Sequence, residues 1–205
     1  MADLPDPEGV GRPRLGGRAR QGGDGDIEVY AADEQDEVPV DVTRWAARAD
    51  AVLRAEGVRG HAELSILFVT EDEIAALNQE FMDAAGPTDV LAFPIDADGA
   101  TFVEVTSTPM TATGPHKSEP DPADLPLLLG DVVVCPAVAA RQAPEHAGNL
   151  DDELALLVVH GVLHVLGWDH AEVEETERMR ARERQLLEAS HWRGPAPAGF
   201  RQEQT

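Results

Sequence analysis

Residues 149–167, "NLDDELALLVVHGVLHVLG", constrain the fold more than any other stretch. Asn149 or Asp151 can cap a helix, the acids that follow suit the positive end of its dipole, and from Leu154 onward the segment is apolar almost all the way round. Such a helix has no face to offer water, so it must run through a core with other elements covering it. Gly167 then ends it as a C′ residue, where a left-handed backbone reverses the chain.

The covering elements are legible from pattern. Strands are predicted at "IEVYA" (27–31), "AELSILFVT" (62–70), "VLAF" (90–93) and "PLLLGDVVVC" (126–135); the last is apolar without a break, as in a strand buried on both faces. Helical spacing occupies "VDVTRWAARADAVLRAEG" up to Gly57, "EDEIAALNQEFM" with its acidic first turn, and "PAVAARQAPEH" opened by Pro136. A last helix, "EVEETERMRARERQLLEAS", pairs Glu174 with Arg178 at i, i+4, and its glutamate-rich surface is expected to be solvated. The spacing thus predicts four strands and five helices, counting the central one.

Residues 1–25 are rich in Gly, Pro and Arg and poor in large apolar side chains, which predicts a disordered tail. A single domain is expected over 26–190, interrupted by a polar, Pro-rich loop insertion at 106–125, with a C-terminal tail at 191–205. The acidic N-terminus has no apolar run of the signal-peptide kind, and no segment approaches the roughly 18 apolar residues of a membrane span. With Cys135 as the single cysteine, neither an intrachain disulfide nor a cysteine zinc cluster can form, and a reducing, cytoplasmic setting is predicted. The balance of 16 basic against 39 acidic residues gives a net charge of −23, which repels bulk nucleic acid. Any function directed at RNA therefore needs a local source of positive charge.

The central helix carries an unusual cargo. His160 and His164 lie four apart, so they project from one face about 6 Å apart along the axis, and His170 follows beyond the Gly167 reversal. Neutral imidazole is the cheaper form to bury and the form that ligates zinc. His160, His164 and His170 are therefore predicted to hold one Zn²⁺ per chain. Three nitrogen ligands leave a tetrahedral position open, as catalytic rather than structural zinc sites do. Zinc peptidases read H-E-x-x-H and use the Glu as general base, but Gly161 stands at that position, which argues against proteolysis.

"HGVLHVLGWDH" (160–170) closely resembles the H-G-x-L-H-L-x-G-[YFW]-D-H motif of the YbeY family, metal-dependent, single-strand-specific endoribonucleases of bacteria that act in ribosomal RNA maturation. "LNQEFMDAAGPTDVLAFP" (77–94) and "LGDVVVC" (129–135) resemble two further blocks of that family, and the likeness runs over roughly 27–190. The resemblance implies a zincin-like α+β fold with a small mixed sheet and the metal helix beneath it. It implies that His160, His164 and His170 are the ligands of a metal-dependent hydrolase. It also implies single-stranded precursor ribosomal RNA and small-subunit ribosomal components as partners, with a role in ribosome quality control. One departure stands out: many members carry Arg where this chain has Met82, and Lys where it has Ala84. The alternative reading is a weakly catalytic ribosome-assembly factor whose metal is mainly structural.

The remaining candidates are set by chemistry alone. Asp169 is expected either to hold a ligand imidazole, giving it a catalytic role beside His160, or to cap its own turn. Asp131, inside a predicted buried strand, needs a partner, while Thr88 and Asp89 are expected to cap the start of a strand. His61, His116, His146 and His191 sit at element ends or in loops and are expected to be solvated. With Met82 unable to contact phosphate, a cation is expected beside His160, from Arg44, Arg48 or Arg141, or else free backbone amides near Thr88.

Overall fold

A computed structural model describes residues 17–22, 27–95 and 126–202. The described elements run β1 (Arg18–Gln21), β2 (Ile27–Asp33), α1 (Val42–Ala55), β3 (Ala62–Phe68), α2 (Glu71–Met82), β4 (Val90–Pro94), β5 (Leu127–Val134), α3 (Pro136–Gln142), α4 (Leu150–Val165) and α5 (Val173–Ser190). The fold is α+β. Its sheet is mixed and has the order β1-β2-β3-β5-β4, with β2, β3 and β5 parallel and the two edge strands antiparallel to their neighbours. The loop insertion at 106–125, with His116, lies outside the described residues, as does the tail up to residue 16.

Two boundaries differ from expectation. The sheet has five strands rather than four, because β1 falls within the 1–25 segment read as a disordered tail. The sequence of β1, "RARQ", has no apolar alternation; it joins the sheet through its backbone ladder to β2 and through Arg20, whose Nε donates to Glu28 at 3.1 Å. At the other end, the described part of the expected tail folds back onto the domain. Phe200 is buried against Trp192, with ring centroids 4.7 Å apart, and the Arg201 amide donates to the His146 carbonyl at 3.0 Å. Two large aromatic rings there hide apolar area that solvent would otherwise face.

The sheet carries apolar residues on both faces. Val132 and Val134 of β5 point into the main core with α1 and α4, and Val133 and Cys135 point to a smaller cluster that takes Ile74 from α2. That is the alternation of a strand buried on both sides. α4 is the central helix that its composition requires: twelve of its sixteen residues are buried. Asn149 is its cap, accepting from the Asp152 amide at 3.0 Å. α2 begins with a capping box in which Thr70 and Glu73 satisfy each other's backbone amides.

The packing of α4 on the sheet is close because of one residue. A Cβ built on Gly161 would lie 2.5 Å from Val132 Cγ1 and 3.4 Å from Val90 Cγ2. No side chain fits between helix and sheet at that point. No helix among the described residues is long and apolar enough to cross a membrane.

Candidate metal centre

The last turns of α4 carry His160 and His164, and the helix then closes in a Schellman motif. The Gly167 amide donates to the His164 carbonyl at 2.9 Å and the Trp168 amide to the Leu163 carbonyl at 3.0 Å, with Gly167 at φ +85°. This reversal returns His170 to the other two. His164 Nε2 lies 3.1 Å from His160 Nε2, and one ring nitrogen from each of the three histidines falls within 4.8 Å of the others. Nitrogens bound tetrahedrally at the usual zinc distance are about 3.3 Å apart. The observed pair needs almost no movement to reach that spacing, so the donor set fits a zinc-sized ion. Burial, then the neighbouring His160 and His170, push the His164 imidazole down to about 4. At neutral pH it is uncharged, the ligating form.

Orientation comes from a residue that the sequence pattern assigned to solvent. Glu183 of α5 is buried, and its Oε1 lies 2.8 Å from His160 Nδ1. Its other oxygen accepts from Gln202 Nε2 at 2.6 Å. With the Nδ1 proton held by Glu183, the Nε2 lone pair of His160 faces the other two rings. The clue in the sequence is spacing: Glu183 stands midway between Met179 and Leu187 on the buried stripe of α5. A lone Glu within an apolar stripe calls for a buried partner.

Asp169 does not take that part. It accepts from the His170 amide at 2.7 Å, the turn-capping alternative, and faces a separate pocket with Trp168 and Arg178. Asp131 is half-buried rather than buried, so no partner is obligatory. Asp89 caps the start of β4 by accepting from the Val90 amide at 2.8 Å and from the Thr88 hydroxyl at 3.1 Å.

Two clefts meet at His160 and His170. One, of about 210 Å³, is lined by His160 and His170 with Thr88, Asp89, Glu153 and Arg180. The other, of about 300 Å³, is lined by all three histidines, Met82 and the edge strand β4. The cation in the first cleft is thus Arg180 of α5, not an expected one. Arg44 pairs with Asp151, Arg141 pairs with Glu71, and buried Arg48 reaches His191 at 3.0 Å. The Val90 amide near Thr88 is taken by Asp89. His146 and His191 are not solvated either: His146 Nδ1 lies 3.3 Å from Glu153, and His191 Nε2 lies 2.6 Å from Asp152. Both were missed because nothing in a loop sequence shows which neighbour folds over it.

The profile of a family described as Endoribonuclease YbeY matches residues 30–191, a span that contains every residue of this centre except Gln202. The chain belongs to the YbeY endoribonuclease family. It is 46% identical over 159 residues to the Endoribonuclease YbeY of Acidothermus cellulolyticus, covering 76% of this chain and 86% of that one. It is 45% identical over 154 residues to that of Salinispora tropica, covering 75% and 89%. The solution structure of a Thermotoga maritima protein matches with a TM-score of 0.41 and 25% identity, over 73% of this chain and 81% of that one. Within the YbeY match, Met82 and Arg180 line different clefts at the histidines.

Proposed function

We propose that the protein is a zinc-dependent, single-strand-specific endoribonuclease that acts in ribosomal RNA maturation and ribosome quality control. The observation that carries the reading is the convergence of His160, His164 and His170, with Glu183 holding His160, in a chain of the YbeY family. Bound there, zinc would polarise a phosphoryl oxygen and lower the pKa of a water, which is the chemistry phosphodiester hydrolysis requires. The protein's own residues do the rest. The three imidazoles bind in their neutral forms, and Glu183 keeps the Nδ1 proton of His160 away from the centre. Arg180 supplies positive charge to a phosphate lying in the first cleft, the role its position beside His160 and His170 allows. On this reading a single strand would pass through the two clefts that share His160 and His170. Precursor ribosomal RNA and small-subunit ribosomal components are the partners this reading assigns, in the cytoplasm.

The rival reading, a weakly catalytic assembly factor with a mainly structural metal, draws on Met82, which leaves the second cleft without the arginine common in the family. One experiment separates them. Zinc-loaded protein is incubated with single-stranded RNA, duplex RNA and casein, alongside His164→Ala. Cleavage of single-stranded RNA alone, lost together with the zinc in His164→Ala, is the expected result. Equal zinc content in both proteins would refute the ligand assignment, and intact RNA at full zinc occupancy would favour the assembly factor.

A further inference from the structure

A second basic feature lies on α1 and the end of α5, away from the histidine centre. Arg44, Arg48 and Arg193 line one open pocket of about 710 Å³ together with His191, and three alanines of α1 and α5 leave its floor clear. Arg44, Ala47, Arg48 and Ala51 recur at i, i+3, i+4 and i+7, so they form one face of α1. The pocket shares no residue with the two clefts at the metal centre. Its link to α4 is Asp152, eight residues before His160 and so about 12 Å along the helix axis.

In a chain of net charge −23, three guanidinium groups in one pocket need a reason. Their local carboxylates are few. Asp151 pairs with Arg44, its Oδ2 2.6 Å from Nη2. Asp152 is committed elsewhere, to His191 Nε2 at 2.6 Å, Trp192 Nε1 at 2.7 Å and Asn149 Nδ2 at 2.7 Å. Arg193 forms no ion pair among the described residues. Arg48 is the telling member. It is only 8% exposed, its Nη2 meets the Nδ1 of His191 at 3.0 Å, and its Nε has no hydrogen-bond partner. Arginine can only donate, so His191 Nδ1 must accept and its Nε2–H must donate to Asp152. An imidazole in this arrangement offers Arg48 a lone pair but no negative counter-charge. Burial, then the nearby Arg44 and Arg193, disfavour the charge on Arg48, and the Asp151 carboxylate only partly offsets them. The one carboxylate that favours this buried cation, Asp151, is already engaged by Arg44, which leaves an unanswered N–H with two like charges beside it.

We infer that the pocket between α1 and the C-terminal end of α5 is an anion-binding site for a phosphate group, held by Arg44, Arg48 and Arg193. The phosphate can be free or part of an RNA strand, since both present the same oxygens to guanidinium donors.

The test uses the full-length protein freed of metal with a chelator, so that the histidine centre does not compete for phosphate. Inorganic phosphate is titrated at constant ionic strength, with backbone amide NMR shifts as the readout. A saturable response centred on residues 44–51 and 189–193 is expected. Arg193→Gln, on an exposed side chain, should weaken it at least about threefold, and Arg44→Gln by a similar factor. A single-stranded pentanucleotide provides the second arm. If its binding falls in the same variants, the site takes chain phosphates; if only inorganic phosphate responds to them, it takes a free one. Absence of saturable shifts in this region, or wild-type affinity in both variants with their folds intact by NMR, would overturn the assignment. None of these measurements depends on RNA cleavage.

Discussion

Gly161 offers the sharpest quantitative test, because two opposing effects of known size meet there. Replacing Gly by Ala inside a helix ordinarily gains about 1 kcal/mol. Here the added Cβ would fall 2.5 Å from Val132 Cγ1 and 3.3 Å from Cγ2, on a fully buried, β-branched side chain with little rotamer freedom. Overpacking of this kind costs about 1–3 kcal/mol, so Gly161→Ala should come out between neutral and about 2 kcal/mol less stable. Val132→Ala alone removes two buried methyl groups and should cost roughly 2–3 kcal/mol, the cavity included. With Val132 shortened the clash disappears, and adding Gly161→Ala should restore about 1 kcal/mol. The double-mutant cycle therefore predicts a coupling of about 1–3 kcal/mol, well above the usual additivity error of about 0.3–0.5 kcal/mol. Urea denaturation of the four proteins measures it. If Gly161→Ala alone raised stability by about 1 kcal/mol and the cycle showed no coupling, helix and sheet would not lie this close. The same contact leaves no room for the glutamate of a zinc peptidase at position 161.

Other outcomes follow from the centre and its clefts. Glu183→Gln should weaken zinc binding by about 10–100-fold with the fold retained, measured by competition with a chromogenic chelator; unchanged affinity would remove Glu183 from the centre. Burial pushes the Glu153 carboxyl up, so its contribution to stability is fully present below the ordinary value of 4.5 and is lost as pH rises through the raised one. Glu153→Gln should thus gain on the wild type as pH increases above 4.5 in urea midpoints, and a pH-independent difference would contradict the shift. Arg180→Ala should reduce RNA cleavage at unchanged zinc content, whereas Met82→Arg should raise it if the second cleft lacks a cation; equal rates in all three proteins would show that neither position meets phosphate.

The parts of the fold legible in the sequence are those whose signal is their own burial. α4 is apolar on every side, and the turn at Gly167 is written in a single residue, so the approach of His170 to His160 and His164 could be expected from spacing. β1 carries no such signal, because an edge strand joins by backbone bonds that "RARQ" makes as well as any other sequence. Glu183 was hidden in a charged run, and only its place on the stripe with Met179 and Leu187 distinguishes it. Arg180 was hidden for a related reason: which of several arginines enters a cleft depends on how α5 is rotated against α4. Trp192 and Phe200 did carry a signal, two aromatic side chains in a chain that is only 4% aromatic, and they mark where the supposed tail packs.

Gln202 has a practical consequence for handling this protein. Its amide holds Glu183 at 2.6 Å and the Arg180 carbonyl at 2.9 Å, so the last described residue is one contact from the side chain that orients His160. Proteolytic trimming that removed Gln202 would leave the sheet and α4 in place, and circular dichroism would register little change. If the histidine centre holds zinc as proposed, such a preparation would bind it more weakly and would be mistaken for an intact but poorly active enzyme. An affinity handle is better placed at the amino end, and intact mass should be checked before activities of different preparations are compared.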